Sequence, residues 1–253
     1  MKYRKRIRIW ISVLKSFLLS FWGVKGEILS AEETVNEILK KRSLIRFGDG
    51  EFGIYKGKSI HYQAWSAELR EAFVAIKKEY ETDSKHCPFL LAMPKRFMTV
   101  NGFHLMRKRV YVSSWAESRW DFKRNFRHDI PYGDSFLFEK NNKKIYFGIW
   151  KSPVCPENVI FIHNNPVYAK HFASTYNKNT VFIQCPARDA FSALEDLEET
   201  VLSRIEENGW SKDAVMLTIS AGPAGKVLTY RLCKGGYWCV DAGHCWDDPL
   251  EGI

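Results

Sequence analysis

Two carboxylates stand two residues apart at Asp49 and Glu51, inside Ser43-Leu-Ile-Arg-Phe-Gly-Asp-Gly-Glu-Phe52. Leu44 to Phe47 predicts a short strand, and Gly48 and Gly50 relieve steric limits on the backbone where it ends. Carboxylates on such a turn can face one small space. At neutral pH they repel unless a hard cation or a bound cationic group lies between them. The plainer reading is a polar turn whose carboxylates cap backbone N–H groups, with Arg46 as a surface ion pair.

Three later segments carry comparable chemistry. In Ser220-Ala-Gly-Pro-Ala-Gly225, Gly222 permits close approach of a ligand and Pro223 suits the first turn of a helix. The free N–H groups of that helix would favour a phosphate, and Lys226 adds positive charge. The loop is neither a Walker loop nor a Gly-x-Gly-x-x-Gly fingerprint, which argues against ATP hydrolysis and NAD binding. Tight strand–helix packing explains its glycine equally well. Asp241-Ala-Gly-His244 offers an imidazole that could join Asp49 and Glu51 on Mn²⁺ or Mg²⁺, or else a capping Asp and a hydrogen-bonded His. Arg188 and Asp189 follow a third apolar run.

These residues need a frame that brings them together. Ser30-Ala-Glu-Glu33 is a capping box opening a helix to about Arg42, and Ser66 opens another with Leu69, Phe73, Ile76 and Tyr80 on one side. Apolar strands are predicted at 88–93, 159–162, 180–184, 214–219 and 237–240, with helices over about 190–208 and 223–234. Strand, helix, strand at this spacing predicts an α/β fold, a Rossmann-like, mainly parallel sheet flanked by helices. Its polar loops would then share one edge, where such folds bind ligands. Residues 99–150 mix aromatics with Arg and Lys, reading either as a helical hairpin or as a surface for an anionic or sugar-bearing ligand. Pro131 to Asp134 reads as a turn.

Charge is unevenly spread. Seven of the 38 lysines and arginines, and none of the 29 acids, fall in residues 1–26, so the net charge of +9 is largely an N-terminal property. The near-balanced remainder argues against a nucleic-acid partner. Within that segment Ile7, Trp10, Ile11, Leu14, Leu18, Phe21 and Trp22 recur at helical spacing, with Arg4, Arg8, Ser12 and Lys15 toward the other side. This predicts a basic amphipathic N-terminal helix over residues 1–29, which either touches a membrane peripherally or docks on the body, residues 30–253. Lys15 interrupts the apolar run, which argues against a spanning helix. Six cysteines without a Cys-x-x-Cys pair read as reduced, buried residues of a cytoplasmic protein.

Taken in order, Leu44–Phe52, Cys185-Pro-Ala-Arg-Asp-Ala-Phe191, Gly222-Pro-Ala-Gly-Lys-Val-Leu228 and Gly236-Tyr-Trp-Cys-Val-Asp-Ala-Gly-His244 resemble successive motifs of the GT-D glycosyltransferases, over about residues 30–248. The resemblance implies transfer of a hexose from a nucleotide-sugar, typically a UDP-hexose, to a glycan or glycoconjugate during bacterial surface polysaccharide or glycoprotein assembly. It implies a divalent cation on Asp49 and Glu51, with His244 as a further candidate ligand. It also implies a donor pocket drawn from Arg46, Gly48, Arg188, Asp189, Ser220, Gly222, Pro223 and Lys226. His244, Asp241 and Asp189 are the candidate general bases. The chain departs from the family pattern at Arg188 and Asp189, at Phe136-Leu-Phe-Glu139 and in its tail. Location at the inner face of the cell membrane would suit such an enzyme. The competing readings are a metal-dependent phosphoesterase using the same carboxylates, and a non-catalytic membrane- or nucleic-acid-binding module built on the basic N-terminus.

Overall fold

The computed structural model describes residues 7, 11, 14, 17–24, 26–102, 104 and 112–246. The expectations placed on the seven N-terminal cations, Trp10, Ser12, Phe103, Arg107, Arg109 and the tail beyond Trp246 lie outside those residues.

Short, fully buried runs such as Phe89-Leu-Leu-Ala-Met93 and Val215-Met-Leu-Thr-Ile219 can only be strands covered on both faces, and both lie inside one parallel sheet. Its strands are β1 (Ser43–Arg46), β2 (Phe89–Met93), β3 (Gly133–Asp134), β4 (Asn158–His163), β5 (Asn179–Gln184), β6 (Val215–Ile219) and β7 (Trp238–Asp241). They run in the order β3-β2-β1-β7-β6-β4-β5, and every pairing between them is parallel.

Between the strands lie α1 (Ala31–Leu39), α2 (Asp49–Tyr55), α3 (Ala67–Thr82), α4 (Lys95–Thr99), α5 (Val112–Asn125), α6 (Lys143–Lys151), α7 (Pro166–Tyr176), α8 (Leu194–Glu207) and α9 (Gly222–Lys234). The capping box forms as the sequence requires: Glu33 N donates to Ser30 Oγ at 3.1 Å, and Ser30 N to Glu33 Oε2 at 2.7 Å. Helix α3 buries Leu69, Phe73, Ile76 and Tyr80, the stripe its spacing predicts. After β6 the chain moves toward β7, whereas after β4 it moves away to β5. Right-handed crossovers therefore put α9 and α7 on opposite faces. The strand order reverses between β4 and β6, and a crevice opens there at the C-terminal ends.

Three expectations are corrected. Asp49-Gly-Glu51 is the first turn of α2 rather than a loop. The predicted turn at 131–134 contains the edge strand β3, whose Gly133 and Asp134 pair with Ala92 and Met93. Residues 99–150 form no hairpin, since β3 separates α5 from α6. Among the described ones, Trp115, Phe122 and Phe126 pack in the interior, while Phe136 and Phe138 reach the cleft described below. Arg119 is fully buried and donates to the carbonyls of Phe97, Ser20, Phe21 and Val100. Burial lowers its pKa to about 10. All six cysteines are free and buried.

Candidate active site

Strand β1 enters the C-terminal edge with Arg46 and hands over to α2. Arg46 is fastened on three sides. Its Nε donates to Asp241 O at 2.7 Å, its Nη1 to Ser135 O at 2.9 Å, and its guanidinium lies 5.1 Å over the Phe138 ring. Its backbone N donates to Asp241 Oδ2 at 3.1 Å. Gly243, at φ +51°, must be glycine here, because a Cβ would fall on that guanidinium.

The two early carboxylates have separate fates, because residues two apart on a helix do not face each other. Glu51 is 7% exposed and turns back to the helix start, where its Oε2 accepts from Gly48 N at 2.7 Å. Its Oε1 lies 3.5 Å from Lys226 Nζ. The same ammonium stands 3.2 Å from Asp241 Oδ2, and Asp241 is 1% exposed. Burial works against the charge on Lys226, but the carboxylates of Asp241 and Glu51 outweigh it and raise its pKa above the ordinary lysine value. Asp49 is exposed, and its carboxylate takes no hydrogen bond or ion pair from a described residue.

Arg46, Asp49, Glu51 and Lys226 line one cleft of about 940 Å³ with Gly48, Ser220, Gly222, Pro223 and His244, and Asp241 lies buried behind them. Helix α9 begins at its floor, its N-cap Ala221 supplying no side-chain hydrogen bond, so the first N–H groups of the helix are left for a ligand. Ser220 Oγ is buried there without a hydrogen-bond partner among the described residues. A second cleft of about 880 Å³ opens at the opposite, N-terminal edge. Its rim cations are largely committed, Lys40 and Arg42 to Glu37 and Lys41 to Asp213, so size does not distinguish the two clefts but chemistry does.

Two candidates stand elsewhere. Arg188 and Asp189 do not line the cleft. Asp189 adopts φ +50° and pins a strap over residues 57–66, its N donating to Tyr62 O at 2.8 Å and its Oδ1 accepting from Ala64 N at 2.5 Å. That strap delivers a residue the sequence did not single out, Tyr62. Its ring meets His244 edge-on at 6.4 Å and lies against Gly222, where a Cβ would come within 2.9 Å of it. Burial, then the charge on Glu51, raises the Tyr62 pKa. Phe136, Phe138, His163 and Asn164 complete the walls. His163 ends β4 and Asn164 follows it at the switch point, which was the one signal available for them.

Among the described residues no three His, Cys, Asp or Glu side chains stand close enough to enclose a metal by themselves. The donor chemistry nonetheless suits a hard cation shared with a phosphate ligand, since Mg²⁺-type sites commonly take one or two carboxylates and complete the shell from substrate. Glu51 and Asp241 already face the two buried cations. An incoming diphosphate would therefore add negative charge that neither Arg46 nor Lys226 is free to balance, beside the uncommitted Asp49.

The glycosyltransferase GT-D fold family matches residues 44–248. Among curated proteins the chain is 28% identical over 86% of its length to glycosyltransferase GlyD of Streptococcus pneumoniae. It is 23% identical, also over 86%, to a probable glycosyl transferase, Gly, of Streptococcus gordonii. It spans only 26% and 32% of those relatives. A solved glycosyltransferase from Streptococcus sanguinis, described as domain of unknown function 1792, superposes with a TM-score of 0.69. That match has 23% identity and covers 87% of this chain and 82% of that one. A second solved structure, described as that domain with a distinct glycosyltransferase fold, gives 0.67 at 20% identity, over 94% of this chain and 82% of its own.

Proposed function

The chain belongs to the glycosyltransferase GT-D fold family, and from that premise we propose that it moves a hexose from a nucleotide-sugar, a UDP-hexose in the first instance, to a hydroxyl of a glycan or glycoconjugate acceptor. Assembly of bacterial surface polysaccharide or glycoprotein is the setting proposed for it, at the cytoplasmic side where nucleotide-sugars are made. One observation carries the reading. At the switch point of the sheet, an uncommitted carboxylate, Asp49, a helix start at Gly222 with no side-chain cap and a buried Lys226 line one cleft.

Breaking the anomeric C–O bond leaves negative charge on the departing diphosphate. The N–H groups at the start of α9 favour that charge where it develops, and Ser220 Oγ lies beside them as an unpaired donor. Asp49 would hold a divalent cation, Mn²⁺ or Mg²⁺, whose contribution would be to neutralise the leaving diphosphate, while Glu51, turned to Gly48 N and Lys226, would steady the floor beneath it. Of the three candidate bases, Asp241 is enclosed by Arg46 and Lys226 and Asp189 is committed to the strap. His244, exposed in the cleft, is left to take the acceptor proton. Asp241 then acts as a positioning residue.

Incubating the chain with UDP-hexoses, Mn²⁺ and a glycan acceptor tests the reading, with sugar appearing on the acceptor as the expected result. Release of hexose 1-phosphate and UMP, with no sugar on the acceptor, would favour a phosphoesterase using the same carboxylates. Neither product from any nucleotide-sugar would leave a non-catalytic module.

A further inference from the structure

Six large apolar side chains stand exposed in one short N-terminal stretch: Ile7, Ile11, Leu14, Leu18, Leu19 and Trp22, the last 69% exposed. The other exposed ones among the described residues are spread from Tyr62 to Leu202 and need no explanation. Ile7, Ile11, Leu14 and Leu18 are helical and recur at four, three and four residues, so they form one stripe, with Trp22 just beyond its end.

This stripe is not a loose tether. Phe17 packs edge-on against Trp115 at 5.5 Å, and Ser20 Oγ donates to Ala116 O at 3.1 Å. Arg119 donates to the carbonyls of Ser20 and Phe21, closing the end of the helix, and Val24 N donates to Met98 O at 2.7 Å. One side is fastened to α4 and α5 while the apolar stripe faces outward.

We propose that this ledge docks on an anionic phospholipid surface. The argument is charge together with shape. Residues 1–26 contain seven lysines and arginines and no acid, which draws the segment to anionic headgroups. An apolar stripe with a tryptophan at its end suits the headgroup boundary. A second copy of the chain is disfavoured as the occupant, because it would bring two such cationic segments together. Lys15 interrupts the apolar run short of the length needed to span a bilayer, so the proposed contact is peripheral.

The ledge also adjoins the cleft. Phe17, Trp115, Phe97 and Phe136 belong to one apolar cluster, Phe97 and Phe136 meet at 4.9 Å, and Phe136 lines the cleft. Docking would thus bring the cleft near the bilayer surface and favour an acceptor held there. This last consequence rests on the proposed transfer reaction; the docking itself does not.

Flotation of the full chain with phosphatidylcholine vesicles, with and without phosphatidylglycerol, tests the proposal. The chain should float only with the anionic vesicles, and added salt should weaken the association. The triple variant Leu14→Glu, Leu18→Glu, Trp22→Glu should lower vesicle partitioning at least about tenfold. Its melting temperature and its transfer to a soluble acceptor should be unchanged. Failure of the wild-type chain to float, or equal flotation of the variant, overturns the proposal. So does a dimer that the variant dissolves without any vesicle binding. Flotation without transfer would support docking and count against the catalytic reading alone.

Discussion

Lys226 Nζ lies 3.2 Å from Asp241 Oδ2, in a pair that joins the N-terminal half of α9 to the end of β7 and is almost wholly withdrawn from water. Glu51 approaches the same ammonium from α2 at 3.5 Å. One cation thus ties three segments that are distant in sequence to the floor of the cleft. Burying such charges is costly, and removing one member strands the others.

Lys226→Met should therefore destabilise the fold by about 3–5 kcal/mol, measured by urea unfolding. Adding Asp241→Asn should cost less than the sum of the two single changes. The pH dependence has a definite sign. The folded pKa of Lys226 is raised above 10.5, so its contribution is complete below that value and fades as pH rises through the folded one. The gap in melting temperature between wild type and Lys226→Met should accordingly narrow on alkaline titration. A constant gap would mean that packing rather than charge holds this site together.

Asp49 and Glu51 should part company when mutated. Asp49→Asn removes an exposed carboxylate with no described partner, so kcat/KM should fall at least about 100-fold with the melting temperature unchanged. Glu51→Gln also weakens the bond to Gly48 N and the contact with Lys226, so it should lose activity and about 1–3 kcal/mol of stability. Paired kinetic and thermal measurements separate the two. Equal stability losses would mean that Asp49 has a structural role.

The contrast explains how far the sequence could be read. Every strand but β3, and the Ser30–Glu33 box, were legible because their signals are local: apolar runs, and a side chain three residues from its cap. The shared rim of Asp49, Glu51, Ser220, Gly222 and His244 followed from topology, since parallel strands end on one edge, and Asp241 ends its strand just beneath. Helix α2 was not legible. Two glycines in Asp49-Gly-Glu-Phe-Gly53 oppose a helix, and burial of Phe52 and Ile54 together with the Glu51 cap overrides them. Nor was Tyr62, whose place depends on Asp189 and therefore on contacts spanning more than a hundred residues of chain.

Gly222 carries a double constraint, and the two parts can be separated. Its φ of +55° disfavours any side chain by roughly 1–2 kcal/mol, and a Cβ would press on the Tyr62 ring at 2.9 Å. Gly222→Ala should therefore lower both stability and transfer. In a Tyr62→Ala background the steric part disappears and only the backbone cost should remain. Unfolding free energies of the two singles and the double measure the difference, and strict additivity would mean the ring is not what the glycine accommodates.

Asp189 gives the sharpest separation between holding a wall of the cleft and performing chemistry. Its carboxylate accepts from Ala64 N, and its own N donates to Tyr62 O, so it orders the strap without lining the cleft. Asp189→Ala removes only the side-chain bond, and the loosened strap should hold Tyr62 less often against Gly222. If Tyr62 contributes to substrate binding, KM should rise severalfold with kcat nearly unchanged, because the groups acting on the diphosphate and the acceptor proton stay in place. Proteolysis within residues 57–66 should accelerate in the variant and be slowed by saturating donor. A collapse of kcat at unchanged KM would instead give Asp189 a direct part in proton transfer and displace His244 from that role.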